Sequence, residues 1–328
     1  MSVNVLHHGM CFDGAASAAL FTAFFERRAG AQAFHYIPKD HGPGDPYVDQ
    51  DFDADEVVGL DFRYTQNPRM TWFFDHHRSA FQLPGDRQHF AADRSGRKFH
   101  DPNARSCASY IAQVVRREFS VDLCEHAELI RWAELIDSAS FPSPEMPVRL
   151  EAPALRLMTF VESNSDTTLV APFIRDLLCL PMHVHAQASY VETALRPRLE
   201  QHQRDIALLK EHQQVQGGIL SFTLLDRPGR SYNKFIPYYH CPKIRYVVGL
   251  LRAPGGRLKI TAGYNPWLPK PEREHNLAAI LEPFGGGGHP FVAGCAFAEN
   301  DEEHAIRAQL AIIARLQGPP TEPGRQAP

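Results

Sequence analysis

The stretch WFFDHH sets Asp75, His76 and His77 directly behind Trp72, Phe73 and Phe74. Three titratable groups at the end of an apolar strand each need a partner once they leave water. The same placement recurs along the chain. His7, His8, Cys11 and Asp13 follow the strand pattern SVNVL, Asp61 closes EVVGL, and Asp137 ends WAELID with Glu134 one turn before it. Imidazole and carboxylate together suit Mn²⁺, Fe or Zn²⁺, and a shared carboxylate can bridge two ions. Each residue also has a plain structural explanation. Asp13 could cap the helix that follows it, Asp61 could start a turn, Asp137 could close a helix, and His7 and His8 could be satisfied at the edge of a core. Their joint placement favours a metal site, because ligands of a parallel α/β sheet bind beyond the carboxyl ends of its strands.

The elements that must position these residues alternate in the first half. Strand patterns SVNVL, AFHYIP, DEVVGLDF and MTWFFDHH are interleaved with helix patterns DGAASAALFTAFFERRAG, SCASYIAQVVRREF and CEHAELIRWAELIDSA. Asp13 is the expected N-cap of the first of these helices. This rhythm predicts an α/β fold whose N-terminal domain is a mostly parallel, doubly wound sheet. Residues 186–216 read as a long polar linker helix, interrupted at Pro197 and ended by Gly217 and Gly218. Beyond it come the strands ILSFTLLD, IRYVVGLLR and LKITAGY, the helix NLAAILEPF, a glycine run, the strand FVAGCAF and a last helix EEHAIRAQLAIIARLQ. The expected division is 1–185, a linker at 186–216, a smaller mixed α/β domain at 217–316 and a disordered tail at 317–328.

The net charge of −4 argues against a broad electrostatic grip on long nucleic acid. No apolar run is long enough to span a bilayer. The six cysteines are scattered, with no C-x-x-C pair, which speaks against a disulfide framework and a structural zinc site. The expectation is a soluble protein of the reducing cytoplasm.

Asp13, Asp61, the DHH at 75–77 and Asp137, taken in order and spacing, resemble the motifs of the DHH phosphoesterase superfamily. GGGGHPFVAG at 285–294 resembles the glycine-rich signature of its DHH-associated C-terminal domain. That superfamily includes nanoRNases, dinucleotide phosphodiesterases, the exonuclease RecJ and a group of inorganic pyrophosphatases. The resemblance implies a hydrolase acting on phosphodiester or phosphomonoester bonds of small nucleotides or short oligonucleotides, with one or two Mn²⁺ ions. Asp61 would bridge the ions. Asp13, His76 and Asp137 would complete one site, and His7 or His8 with Cys11 the other. Asp75 would orient His76, and His77 would lie near the scissile phosphate. Gly286, Gly287, Gly288 and His289 would bind the substrate's phosphate or its terminal nucleotide from the second domain, across a cleft. Arg105 is a further phosphate contact, with Arg94, Arg97, His100 and Ser106 as candidates of the same kind. The partners implied are a small nucleotide or short oligonucleotide, with neither long nucleic acid nor membrane; a homodimer is compatible.

Two departures qualify the resemblance. Cys11 stands where the usual first motif has an aspartate, and the spacing leaves His7 and His8 both eligible. A thiolate favours softer ions than Mn²⁺, so a softer ion beside Cys11, or a non-catalytic nucleotide-binding protein with one impaired metal site, is the alternative. Many nanoRNase-like members also carry an arginine near the position of Gly263. Here Lys259, Asn265 and Lys270 are the nearby substitutes.

Overall fold

The computed structural model describes residues 1–40, 44–226, 232–253, 255–269 and 275–319. Lys270 and residues 320–328 of the expected tail lie outside them, while Gln317 still belongs to the last helix, Glu302–Gln317. The described chain divides into two compact units, residues 1–141 with 150–198, and residues 142–149 with the described residues from 199 onward.

In the first unit, strands β1 (Ser2–His8), β2 (Ala33–Lys39), β3 (Glu56–Leu60), β4 (Trp72–Asp75) and β5 (Lys98–His100) form a sheet ordered β2-β1-β3-β4-β5. Every pairing is parallel. Helices α1 (Phe12–Ala29), α2 (Asp86–Ala92), α3 (Cys107–Phe119) and α4 (Ala127–Asp137) come from the segments between and after the strands. Side chains alternate across a strand, and this accounts for the unbroken aromatic run of β4. Trp72 and Phe74 share one face with Phe21 of α1, at ring-centroid distances of 5.8 and 6.1 Å. Phe73 points the other way, onto Tyr64 at 5.0 Å. A strand that is apolar on both faces is fully buried, so the chain can only place polar groups where β4 ends. Short β5, the helices Pro153–Ser163 and Val170–Cys179 and the short helix Ile236–His240 are elements the sequence reading did not anticipate.

In the second unit, β6 (Gln214–Gln216), β7 (Ile219–Leu224), β8 (Tyr246–Arg252), β9 (Leu258–Tyr264), β10 (Gly287–His289) and β11 (Val292–Phe297) form a mixed sheet ordered β10-β11-β9-β8-β7-β6. Only β7 and β8 run parallel. Two expectations fail at its entrance. The helix Ser189–His212 runs through Pro197 without a break. It also stops at His212, and residues 214–216 form a strand. Gly217 and Gly218, both at positive φ (59° and 79°), make the two-residue turn of the β6–β7 hairpin rather than a helix end.

One close approach ties the first helix to the first strand. A Cβ placed on Gly14 would lie 2.2 Å from the His8 carbonyl oxygen. Only glycine lets the first turn of α1 pack onto the end of β1, which brings the residues after β1 and those at the start of α1 to one place. Gly14→Ala is therefore expected to lower stability by about 1–3 kcal/mol or more, read as the midpoint of chemical denaturation. A change within about 0.5 kcal/mol, the range of an ordinary surface substitution, would show that this contact yields at no cost.

Candidate metal centre

Asp61 follows β3 in the left-handed region, with φ of 56°. Its N–H donates to the Phe74 carbonyl at 3.0 Å, which pins the turn to β4. A non-glycine residue is uncommon there, although Asp tolerates it better than most. The side chain is fully buried, and its two oxygens face two different sets of groups. Oδ1 lies 3.5 Å from His76 Nε2 and 3.7 Å from His77 Nδ1. Oδ2 lies 3.5 Å from His8 Nδ1 and 3.6 Å from Cys11 Sγ.

Asp13 is not the N-cap of α1. Cys11 holds that position, without a side-chain bond, and Asp13 sits inside the first turn. Its carboxylate instead accepts from the N-terminus of α3, from the Cys107 N–H at 2.6 Å and the Ala108 N–H at 3.0 Å. The unsatisfied N–H groups and the positive end of the helix dipole draw it there. Asp137, the last residue of α4, closes this side. His76 Nε2 lies 3.8 Å from Asp13 Oδ2 and 3.4 Å from Asp137 Oδ2.

The histidines after β4 are held differently from expectation. His76 Nδ1 faces the Ala104 carbonyl at 3.1 Å. In the neutral ring, donation to that carbonyl fixes the tautomer and leaves the lone pair on Nε2. Asp75 Oδ1 lies 2.8 Å from His77 Nδ1, so Asp75 orients His77 and not His76. The Ala104 carbonyl is a backbone atom with no sequence signal.

The charges of this cluster conflict. Burial would raise the Asp61 carboxyl, but the neighbouring His76 and His8 imidazoles outweigh it and hold the group below the usual carboxylate range. Burial and the Asp61 carboxylate push both Asp13 and Asp137 up, and Asp137 raises Asp13 further. Burial opposes charging of His76, yet Asp61, Asp13 and Asp137 carry it up to about 10. Burial, followed by Asp61 and Asp13, raises the Cys11 thiol well above its ordinary range. Three carboxylates therefore meet with no lysine or arginine among the residues that shift them. Asp61 Oδ1, Asp75 Oδ2 and His76 Nε2 are buried and find no hydrogen-bond partner.

A divalent cation fits this arrangement. Two atoms each about 2.1 Å from a shared ion lie roughly 3–3.4 Å apart, near the observed separations of 3.4–3.8 Å. Candidate ligand sets with atoms within 4.8 Å of one another are His8, Cys11 and Asp61; Asp61, His76 and His77; and Asp13, His76 and Asp137. His7 enters none of these sets, and neither does Glu134. The ring of His7 bonds through Nδ1 to the His8 carbonyl at 3.0 Å.

Other sequence candidates fall into local roles. Arg97 pairs with Glu56, Arg94 donates to the Ala91 and Asp93 carbonyls, His100 Nε2 meets the His77 carbonyl, and Ser106 caps α3. Arg105 Nη2 donates to Ser138 Oγ at 3.3 Å, one residue from Asp137. In the second unit, Asn265 is buried and bonds to the Pro242 and Ile244 carbonyls. A Cβ at Gly263 would lie 2.7 Å from Tyr238 Oη, so the Tyr238 side chain occupies the space a larger residue would need there. Gly286 and Gly288 are demanded by packing. Their added Cβ atoms would meet the Gly294 and Val292 carbonyls at 2.6 Å, whereas Gly287 faces open space and His289 is exposed.

The sequence matches no protein-family model and no curated protein. Solved structures share its fold. The pGpG-specific phosphodiesterase PggH from Vibrio cholerae is 16% identical, with a TM-score of 0.67 over 95% of this chain and 99% of that one. An exopolyphosphatase-related protein from Bacteroides fragilis is 15% identical, with a TM-score of 0.53 over 96% and 92%. RecJ from Thermus thermophilus, solved in complex with Mn²⁺, is 15% identical, with a TM-score of 0.58 over 97% of this chain and 53% of its own. The chain shares the fold of these structures, and Asp13, Asp61, the DHH at 75–77 and Asp137 remain the residues by which its sequence resembles the DHH phosphoesterase superfamily.

The pairing of Asp75 with His77 makes a specific prediction. Asp75→Asn should leave bound metal at the wild-type level, because His76 is held by Ala104. Turnover of a phosphodiester should fall roughly 10–100-fold, the usual cost of a lost outer partner. Loss of metal from the variant, measured by elemental analysis, would return Asp75 to His76.

Proposed function

We propose that the chain is a divalent-metal-dependent phosphoesterase acting on small nucleotides or short oligonucleotides, in the manner of a nanoRNase. The observation that carries this reading is the Asp61 carboxylate, whose two oxygens are directed at separate ligand groups from one buried position. We assign His8 rather than His7 as the histidine ligand beside Cys11, and Asp13, His76 and Asp137 as the other set. Manganese is the ion proposed for the second set, with its hard carboxylates.

Divalent ions held by these residues would supply water activation and neutralise charge on phosphoryl oxygens. The protein's own groups then have separate tasks. Asp61 keeps the two ligand groups at a fixed spacing. The Ala104 carbonyl holds the His76 ring in place. His77 has its burial opposed by the Asp75 bond, which raises its pKa; it presents Nε2 to donate to a phosphoryl oxygen or leaving group. Arg105, beside Asp137, supplies positive charge at the rim. In the second unit, the Gly287 and His289 backbone and the exposed imidazole are assigned to the substrate's phosphate or its terminal nucleotide.

A second reading has its own support. The raised Cys11 thiol is protonated at neutral pH and donates toward Asp61. A protonated thiol is no ligand, so the His8 set would fill weakly with Mn²⁺, and the protein would bind nucleotide without efficient turnover.

Both readings are tested on one substrate, bis-p-nitrophenyl phosphate, with Mn²⁺ titrated. Turnover that Asp61→Ala lowers by roughly 10²–10³-fold or more supports the enzyme; activity at the wild-type level would rule out the site. Cys11→Asp should raise Mn²⁺ content toward two ions per chain and increase turnover. Two tightly held Mn²⁺ ions in the unmodified protein would show that Cys11 is no obstacle.

A further inference from the structure

The first unit contains a cavity of about 180 Å³ that the metal centre does not use. Its floor is the turn after β1, with His7, Gly9 and Met10 on its lining. The residues that follow in sequence, His8 and Cys11, belong to the metal centre, so one turn walls both spaces. The opposite wall comes from the helices Pro153–Ser163 and Val170–Cys179. There Phe160 and Phe173 stack nearly parallel, with ring centroids 5.1 Å apart.

The polar side of this cavity is rich in acceptors. His7 is 3% exposed. With Nδ1 given to the His8 carbonyl, its Nε2 is a buried lone pair that finds no partner in the protein. Among the described residues, Asp40 and Asp166 are the charged side chains of the lining, and no lysine or arginine belongs to it. Two carboxylates with no cation beside them disfavour phosphate here. The chemistry calls for a flat apolar body with N–H donors on its edge. The size is suitable for a single ring system, since an apolar cavity of about 150 Å³ holds benzene. Specific pockets combine apolar walls with a few placed polar groups in this way.

We propose that this cavity is a subsite for a nucleobase bearing an exocyclic amine, read by His7 Nε2 and the Asp40 carboxylate and covered by the Phe160–Phe173 wall. Its assignment to the substrate's own base rests on the phosphoesterase reading above; the binding of a base does not. Cytosine, adenine and guanine offer an amino group to the two acceptors. Uracil has a single donor, N3–H, set between two carbonyl oxygens, so it can satisfy one acceptor only while turning a carbonyl oxygen toward the other.

The test is calorimetric titration of adenosine, guanosine, cytidine and uridine into the full-length, metal-free protein, which needs neither turnover nor bound metal. Saturable binding is expected for the three amino-bearing nucleosides, with uridine about tenfold weaker. In the unmodified protein, the His7 Nε2 resonance in ¹⁵N NMR should move as adenosine is added. Val170→Trp, placed on the cavity wall, should abolish binding, and His7→Phe should weaken it about tenfold; both variants are first checked by circular dichroism. No saturable binding of any nucleoside to the unmodified protein would overturn the proposal. So would uridine binding as tightly as the rest, a His7 signal that does not move, or folded variants that bind like the parent. Nucleoside binding in a protein that hydrolyses no phosphoester would instead keep the subsite and remove the enzymatic reading.

Discussion

A fully buried carboxylate cannot stay charged without cations around it, and Asp61 is such a carboxylate. It sits where a parallel strand ends, in a left-handed backbone conformation held by the Phe74 carbonyl. Much of the first unit serves that position. The aromatic core of β4 drives its polar residues to the strand end. Gly14 lets α1 close onto β1, and the N-terminus of α3 fixes Asp13. The result is a ring of acids and imidazoles separated by distances longer than hydrogen bonds and suited to an ion between them.

The motif residues of this ring were legible in the sequence because residue type and strand-end position are both sequence properties. Their mutual contacts were not. Asp75 could have oriented either histidine, since both follow it directly, and only the chain's turn after β4 sets His77 against it. Asp13 looked like the cap of its own helix. It caps α3 instead, more than ninety residues away, and local sequence carries no information about such a partner. The choice between His7 and His8 follows from strand alternation: adjacent residues face opposite sides of β1, so one reaches Asp61 and the other the cavity.

The fold class was readable from periodicity, and the parallel sheet and the second mixed sheet agree with it. The failures came where local signals have two meanings. Paired glycines end helices and also make tight hairpins, and at Gly217–Gly218 the hairpin won. Pro197 was read as a break, yet the helix continues through it. The apolar periodicity of PALRLMTFVES and VAPFIRDLLC could have revealed the helices that wall the cavity beside the metal centre.

The central proposal is that Asp61 would serve two ligand groups, each able to hold a divalent ion. Anomalous diffraction from crystals soaked in Mn²⁺ together with Zn²⁺, the softer ion, measures this directly. The account predicts two peaks flanking the Asp61 carboxylate, one bounded by Asp13, His76 and Asp137 and the other by His8 and Cys11. A single peak that does not touch Asp61, or peaks bounded by His7 instead of His8, would contradict it.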